Sequence, residues 1–148
     1  MRRTSLSEFH CSVARTVDVI GEWWTPLIIR DAFYGRTRFE DFQRSLGVAR
    51  NVLTVRLDGL VQHGIMERRR YQERPPRDEY VLTEKGRDLF PVIAALLTWG
   101  DKWTAGEAGP PLLLVHTCGE PGHLRATCET CGEPLTLESI SPQPGPGA

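Results

Sequence analysis

Apolar positions in the first hundred residues recur mainly at steps of three and four, the spacing of one helix face. Val13, Val17 and Ile20, with Ala14, predict a first helix over residues 10–20, ended by Gly21. Leu27, Ile28 and Ile29, with Pro26 in the first turn, predict a second over 24–34, stopped by Gly35. Phe39, Phe42 and Leu46 share one face of a third over 39–46, and Gly47 ends it. Leu53, Leu57, Leu60 and Val61 form the buried stripe of a fourth over 49–63, capped by Gly64. The period then changes. Residues 65–71 and 80–82 read as extended segments around a proline-bearing turn at 72–77, a β-hairpin with a charged tip. Thr83 is placed to cap a long helix over 84–103, although Gly86 stands where a capping box needs Glu or Gln. Leu89, Val92, Ile93, Leu96, Leu97 and Trp99 make that helix apolar on more than one side. One domain cannot cover all of it, so part is expected to meet a second copy of the chain.

These elements define a mainly α (α+β) fold: a winged helix-turn-helix with a β-hairpin wing, a long C-terminal dimerisation helix and a small Cys-rich β-hairpin tail. The expected organisation is a DNA-binding and dimerisation domain at 1–104, a linker at 105–111, a zinc-ribbon-like hairpin at 112–138 opening on a short strand at 112–115, and a disordered tail at 139–148, half of it Pro and Gly. No apolar run reaches transmembrane length and residues 1–10 lack the apolar core of a signal peptide, so the expected location is the cytoplasm, with no membrane partner.

The net charge of −1 does not announce nucleic-acid binding, but its distribution does. Residues 36–77 hold ten arginines against five acids, whereas 105–148 hold one arginine against five acids. Arginine forks phosphates and guanine edges, where lysine offers a point charge. The third and fourth helices are joined through Leu46-Gly47-Val48, the length of a helix-turn-helix turn. Arg50, Asn51, Thr54 and Arg56 lie off the Leu53/Leu57/Leu60 stripe, and three of them sit in the first turns, the part of a recognition helix that reaches base edges. Arg68, Arg70, Arg74 and Arg77 stand on the hairpin, and Arg38 stands just before the third helix. They are the candidate phosphate and minor-groove contacts. A charge run alone is usually a solvated face; here it coincides with the wing.

From Cys11 to Trp103 the chain resembles the HxlR-type regulators, relatives of the MarR winged-helix proteins. The resemblance rests on Cys11-Ser-Val-Ala, Ile20-Gly-Glu-Trp-Trp24, Leu27-Ile-Ile29, Gly35-Arg-Thr-Arg-Phe39, Leu53-Thr-Val-Arg-Leu57, His63-Gly-Ile, Pro76-Arg-Asp-Glu-Tyr80, Leu82-Thr-Glu-Lys-Gly86 and Leu89-Phe-Pro, in that order. It implies a homodimer formed by the first and last helices and bound to an inverted repeat. Trp23 departs from the family, which commonly has Lys there. In some members a cysteine at the position of Cys11 senses oxidants or electrophiles. Cys11 begins the first helix, where the dipole favours a thiolate, so it is the redox-sensing candidate beside the reading of an inert thiol.

The tail reads His116-Thr-Cys118-Gly, nine residues, then Cys128-Glu-Thr-Cys131-Gly. Two facing Cys-Gly corners suit a structural zinc, with Cys118, Cys128 and Cys131 as ligands and His116, or else His123, as the fourth. A metal-free hairpin with reduced thiols is the other reading. No phosphate-binding loop, Ser/His/Asp set or paired carboxylates at informative spacing is present, so an enzyme is not expected. The expected function is a sequence-specific, DNA-binding transcription regulator, a repressor on an inverted-repeat operator. The alternatives are a regulator sensing oxidants or electrophiles through Cys11, one answering a small-molecule effector, and a protein-interaction module.

Overall fold

A computed structural model of the chain describes residues 5–147. In chain order the elements are α1 (Ser12–Ile20), α2 (Thr25–Phe33), α3 (Phe39–Leu46), α4 (Arg50–Gln62), β1 (Met66–Glu73), β2 (Pro76–Leu82), α5 (Glu84–Arg87) and α6 (Phe90–Trp103). Two compact units divide them, one ending at Ile93 and the other starting at Ala94, so the division falls within α6.

The core of the first unit is apolar and built from α1 to α4 and the hairpin, with Leu89 and Ile93 packed against it. Ile20 of α1, Ile28 and Ile29 of α2, Phe42 of α3, and Leu53, Leu57 and Leu60 of α4 are buried together, with Ile65, Met66 and Tyr80 from the hairpin side. The Leu53/Leu57/Leu60 face fixes the rotation of α4 about its axis. It follows that Arg50, Asn51 and Thr54 face solvent. Gly47 closes α3 with φ +64, a left-handed conformation that a side chain would strain, and turns the chain into α4 within three residues. Asp31 is fully buried at the end of α2. Its Oδ1 accepts from Arg30 at 2.7 Å and stands 3.7 Å from Arg36, which ties the α2–α3 connection down.

The hairpin is longer than its pattern predicts. β1 and β2 pair antiparallel from Met66↔Leu82 to Glu73↔Pro76, leaving only Arg74 and Pro75, joined by a cis peptide, as the turn. Residues 72–73 and 76–79, read as turn or left unassigned, are strand. Arg69↔Glu79 and Arg70↔Asp78 pair charges across the strands at residues 78–79, a cue that apolar alternation does not carry. The register slips at Tyr71, between Arg70 and Gln72. Tyr80 also donates its backbone N–H to the Thr37 carbonyl at 2.7 Å, so the α2–α3 connection lies along the outer edge of β2.

The single helix expected over 84–103 is two helices. Pro91 has no N–H to bond the Arg87 carbonyl, and its ring would clash there, so the chain turns at Asp88 and Leu89 before α6 starts. Thr83 does cap α5: its Oγ1 accepts the Gly86 N–H at 3.1 Å. Gly86 is buried, and a Cβ there would stand 2.1 Å from the Ile65 carbonyl oxygen, so the residue type is dictated by packing. Val92, Leu96, Trp99 and Trp103 recur at helical spacing along α6 and are all exposed. Val13 and Val17 on α1 are exposed as well.

Residues 112–115, expected as a strand, form none. Val115 makes an isolated bridge to Pro121 and Thr127 another to Pro134, each closing a tight turn. Residues 139–147 carry no helix or strand, and Ala148 lies outside the described residues.

Candidate nucleic-acid interface

The exposed start of α4 carries Arg50, Asn51 and Thr54. Arg50 is the first residue of the helix, and its guanidinium lies 4.5 Å from the ring centroid of Phe39, the first residue of α3. Stacking on an aromatic face orients the planar fork while leaving its edges free to donate. Arg38 is held likewise, 4.5 Å from the Tyr71 centroid. Tyr71 is the residue left over by the register slip in β1, and such an irregularity re-aims a side chain. Arg38, Arg77 and Arg44 line a cleft of about 540 Å³ between the start of α3 and the wing, with Tyr71, Pro76 and Asp78. Arg44 is exposed and 3.3 Å from Asp41.

The predicted DNA-contacting arginines fall into two groups. Arg56 is tied back into the fold: it pairs with Glu22 at 2.9 Å and donates to the Trp23 carbonyl at 3.1 Å, bracing α4 against the α1–α2 turn. Arg68 pairs with Asp58 of α4 and stands 5.5 Å from the Tyr80 ring centroid. Arg70 donates to Asp78, its cross-strand partner, at 2.6 Å, and this bond raises its pKa further. Arg69 is matched with Glu79 at 3.0 Å in the same way. The Thr37 hydroxyl and Arg69 hold the Glu79 carboxyl below its ordinary 4.5. By contrast Arg74 and Arg77, at the wing tip, are exposed and have no ion-pair partner among the described residues. Sequence reading missed Phe39 and Tyr71 as platforms and the acids that occupy Arg56, Arg68 and Arg70. Arg69↔Glu79 and Arg70↔Asp78 were open to anyone who fixed the hairpin register.

Cys11 is the exposed N-cap of α1. In the tail Cys118 and Cys131 are exposed and Cys128 is half-buried. Backbone N–H groups of Cys131 and Thr130 donate to the Cys128 sulfur and lower its pKa. Among the described residues no three His, Cys, Asp or Glu side chains stand close enough to hold one metal ion. No helix among them is long and apolar enough to cross a membrane.

Two helices joined by a glycine turn, an exposed basic start to the second and an arginine-tipped hairpin define a winged helix-turn-helix of the transcription-regulator class. Residues 19–108 match the HxlR-like helix-turn-helix family, and the chain belongs to it. The uncharacterized HTH-type transcriptional regulator Rv3095 of Mycobacterium tuberculosis is 47% identical over 92% of this chain and 87% of that protein. The crystal structure of PA1607 superposes with a TM-score of 0.86 at 42% identity, covering 95% of this chain and 99% of that one. The redox regulator HypR in its reduced form matches with a TM-score of 0.59 at 35% identity, over 62% of this chain and 92% of that one.

Proposed function

We propose that the protein is a homodimeric repressor that reads an inverted-repeat operator with α4 and grips the flanking phosphates with the wing. One observation carries this reading: Arg50, stacked on Phe39 at the start of α4, stands beside Asn51 and Thr54, and all three are exposed. Arginine suits guanine O6 and N7, and asparagine suits adenine N6 and N7. Arg38, Arg74 and Arg77 are the phosphate contacts, whereas Arg56 is a brace. Arg68 and Arg70 reach DNA only by leaving their acids. Double-stranded DNA is the partner, and no chemistry on it is assigned.

The second copy belongs on the exposed apolar stripe of α6, and Val13 and Val17 make the exposed face of α1 a further surface for a second copy. Trp99 is 63% exposed in the single chain, and a stripe of four large apolar side chains on one helix calls for a cover. A twofold dimer presents two α4 helices to successive major grooves, which is why the operator is an inverted repeat.

The test is selection of bound sequences from random duplexes, followed by gel shifts with purified protein. Enrichment of a two-fold symmetric motif that Arg50→Ala no longer enriches supports the reading. Failure to enrich any motif leaves the wing and α4 as a protein-interaction surface instead.

A second reading has its own support. The structural likeness to HypR, a redox regulator solved both reduced and oxidised, pairs with an exposed Cys11 at the start of α1. Here a peroxide effector takes two Cys11 thiols to a disulfide with release of two waters, changing the dimer and its hold on DNA. An operator shift lost on peroxide treatment in the wild type and retained in Cys11→Ser supports it. Equal responses remove Cys11 from the mechanism.

A further inference from the structure

The tail poses a physical problem that DNA binding does not answer. No residue from Lys102 to Gly147 is buried. Leu112, Val115, Leu135, Leu137 and Ile140 are all exposed, so the segment has no hydrophobic core. One hydrogen bond joins the Leu124 N–H to Thr98 of α6. Beyond that, a piece this small is commonly held by a disulfide, a metal or a partner. All four cysteines are free thiols.

Its two tight turns follow one plan. In the first, Val115 bridges Pro121, the His116 N–H donates to the Glu120 carbonyl at 2.9 Å, and Cys118 precedes Gly119 at φ +93. In the second, Thr127 bridges Pro134, the Cys128 N–H donates to the Glu133 carbonyl at 2.8 Å, and Cys131 precedes Gly132 at φ +75. Each turn also aims backbone N–H groups at its first donor. The Cys118 N–H reaches His116 Nδ1 at 3.2 Å, and those of Thr130 and Cys131 reach the Cys128 sulfur. His116 therefore occupies the place that Cys128 holds in the second turn. His123 sits between the turns and has no counterpart.

We propose that the two turns are the halves of one structural zinc site, with His116, Cys118, Cys128 and Cys131 as its four ligands. Three thiolates and an imidazole in a closed tetrahedral set favour zinc and leave no open position for catalysis. The donors do not yet stand within reach of a common ion, so loading closes the turns on each other across residues 119–127. Binding releases three thiol protons to solvent, and Nδ1 of His116 exchanges the Cys118 N–H for the metal. Metal loading is then the folding step that the missing core cannot supply.

The test uses full-length protein purified under reducing conditions. Metal analysis is expected to find one zinc per chain, and cobalt substitution to give the absorption of a tetrahedral thiolate site. Cys128→Ser and Cys131→Ser should lose stoichiometric zinc while the helical circular dichroism stays, which separates metal loss from global unfolding. His116→Ala should weaken zinc binding, His116→Cys should restore it, and His123→Ala should leave it unchanged. Zinc lost in His123→Ala and kept in His116→Ala overturns the ligand assignment. Thiols that alkylate equally fast with and without added zinc, in protein that carries none, overturn the site.

Discussion

Under the proposed function Arg50 and Arg74 have different tasks, base reading and phosphate contact, and their replacement should show it. Arg50→Ala is expected to cost about 1–3 kcal/mol on the preferred operator and to relax the preference at one base pair in each half-site. Arg74→Ala should weaken all duplexes alike and lower the slope of log affinity against log salt by about one per subunit. Gel shifts on specific and random duplexes over a salt series distinguish the two. Equal losses on both duplexes from both variants would contradict the division of labour. Glu79 supplies a pH signature. Its folded-state pKa is depressed by Thr37 and Arg69, so its contribution to stability is present above the ordinary 4.5 and is lost as pH falls through the lower folded value. Glu79→Gln should therefore unfold at lower urea than wild type at pH 7, and the gap should close on acidification below 4.5. A gap that is constant with pH would show that the carboxylate charge is not what matters.

At the scale of elements, the contact between Gly86 and Ile65 is the tightest constraint joining α5 to the start of the hairpin. Gly86→Ala sets a Cβ against backbone, which cannot rotate aside, so the expected cost is about 3 kcal/mol, read as a lower urea midpoint with unchanged slope. A midpoint within error of wild type would mean that the two elements separate easily. What was legible in the sequence follows the same logic of contacts. The Leu53/Leu57/Leu60 stripe and the Phe39/Phe42/Leu46 face were readable because burial imposes a period on neighbouring residues of one element. The break at Asp88 and Leu89 was missed because the Thr83 cap was joined directly to the apolar positions that begin at Leu89, and the interruption comes from Pro91, which lacks an N–H and whose ring clashes with the preceding turn. The stacking of Arg50 on Phe39 and of Arg38 on Tyr71, and the Arg56–Glu22 brace, join residues 11 to 34 positions apart. No periodicity encodes such pairs; they exist only once the core has oriented the helices.

For the whole molecule, the stripe Val92/Leu96/Trp99/Trp103 sets the assembly expected in solution. Replacing Leu96 and Trp99 together by Asp should turn a dimer into a monomer in sedimentation velocity. Operator affinity should fall at least tenfold, because one half-site supplies only part of the contacts. A double variant that sediments as the wild type would place the second copy elsewhere. The paired arginines of the wing matter at this scale too. A hairpin whose Arg68, Arg69 and Arg70 already face Asp58, Glu79 and Asp78 presents few uncommitted charges to an arbitrary duplex. Non-specific binding is almost wholly electrostatic, and a genome offers about 10⁶–10⁹ competing sites. A muted background of that kind leaves more of a regulator free to search for its site.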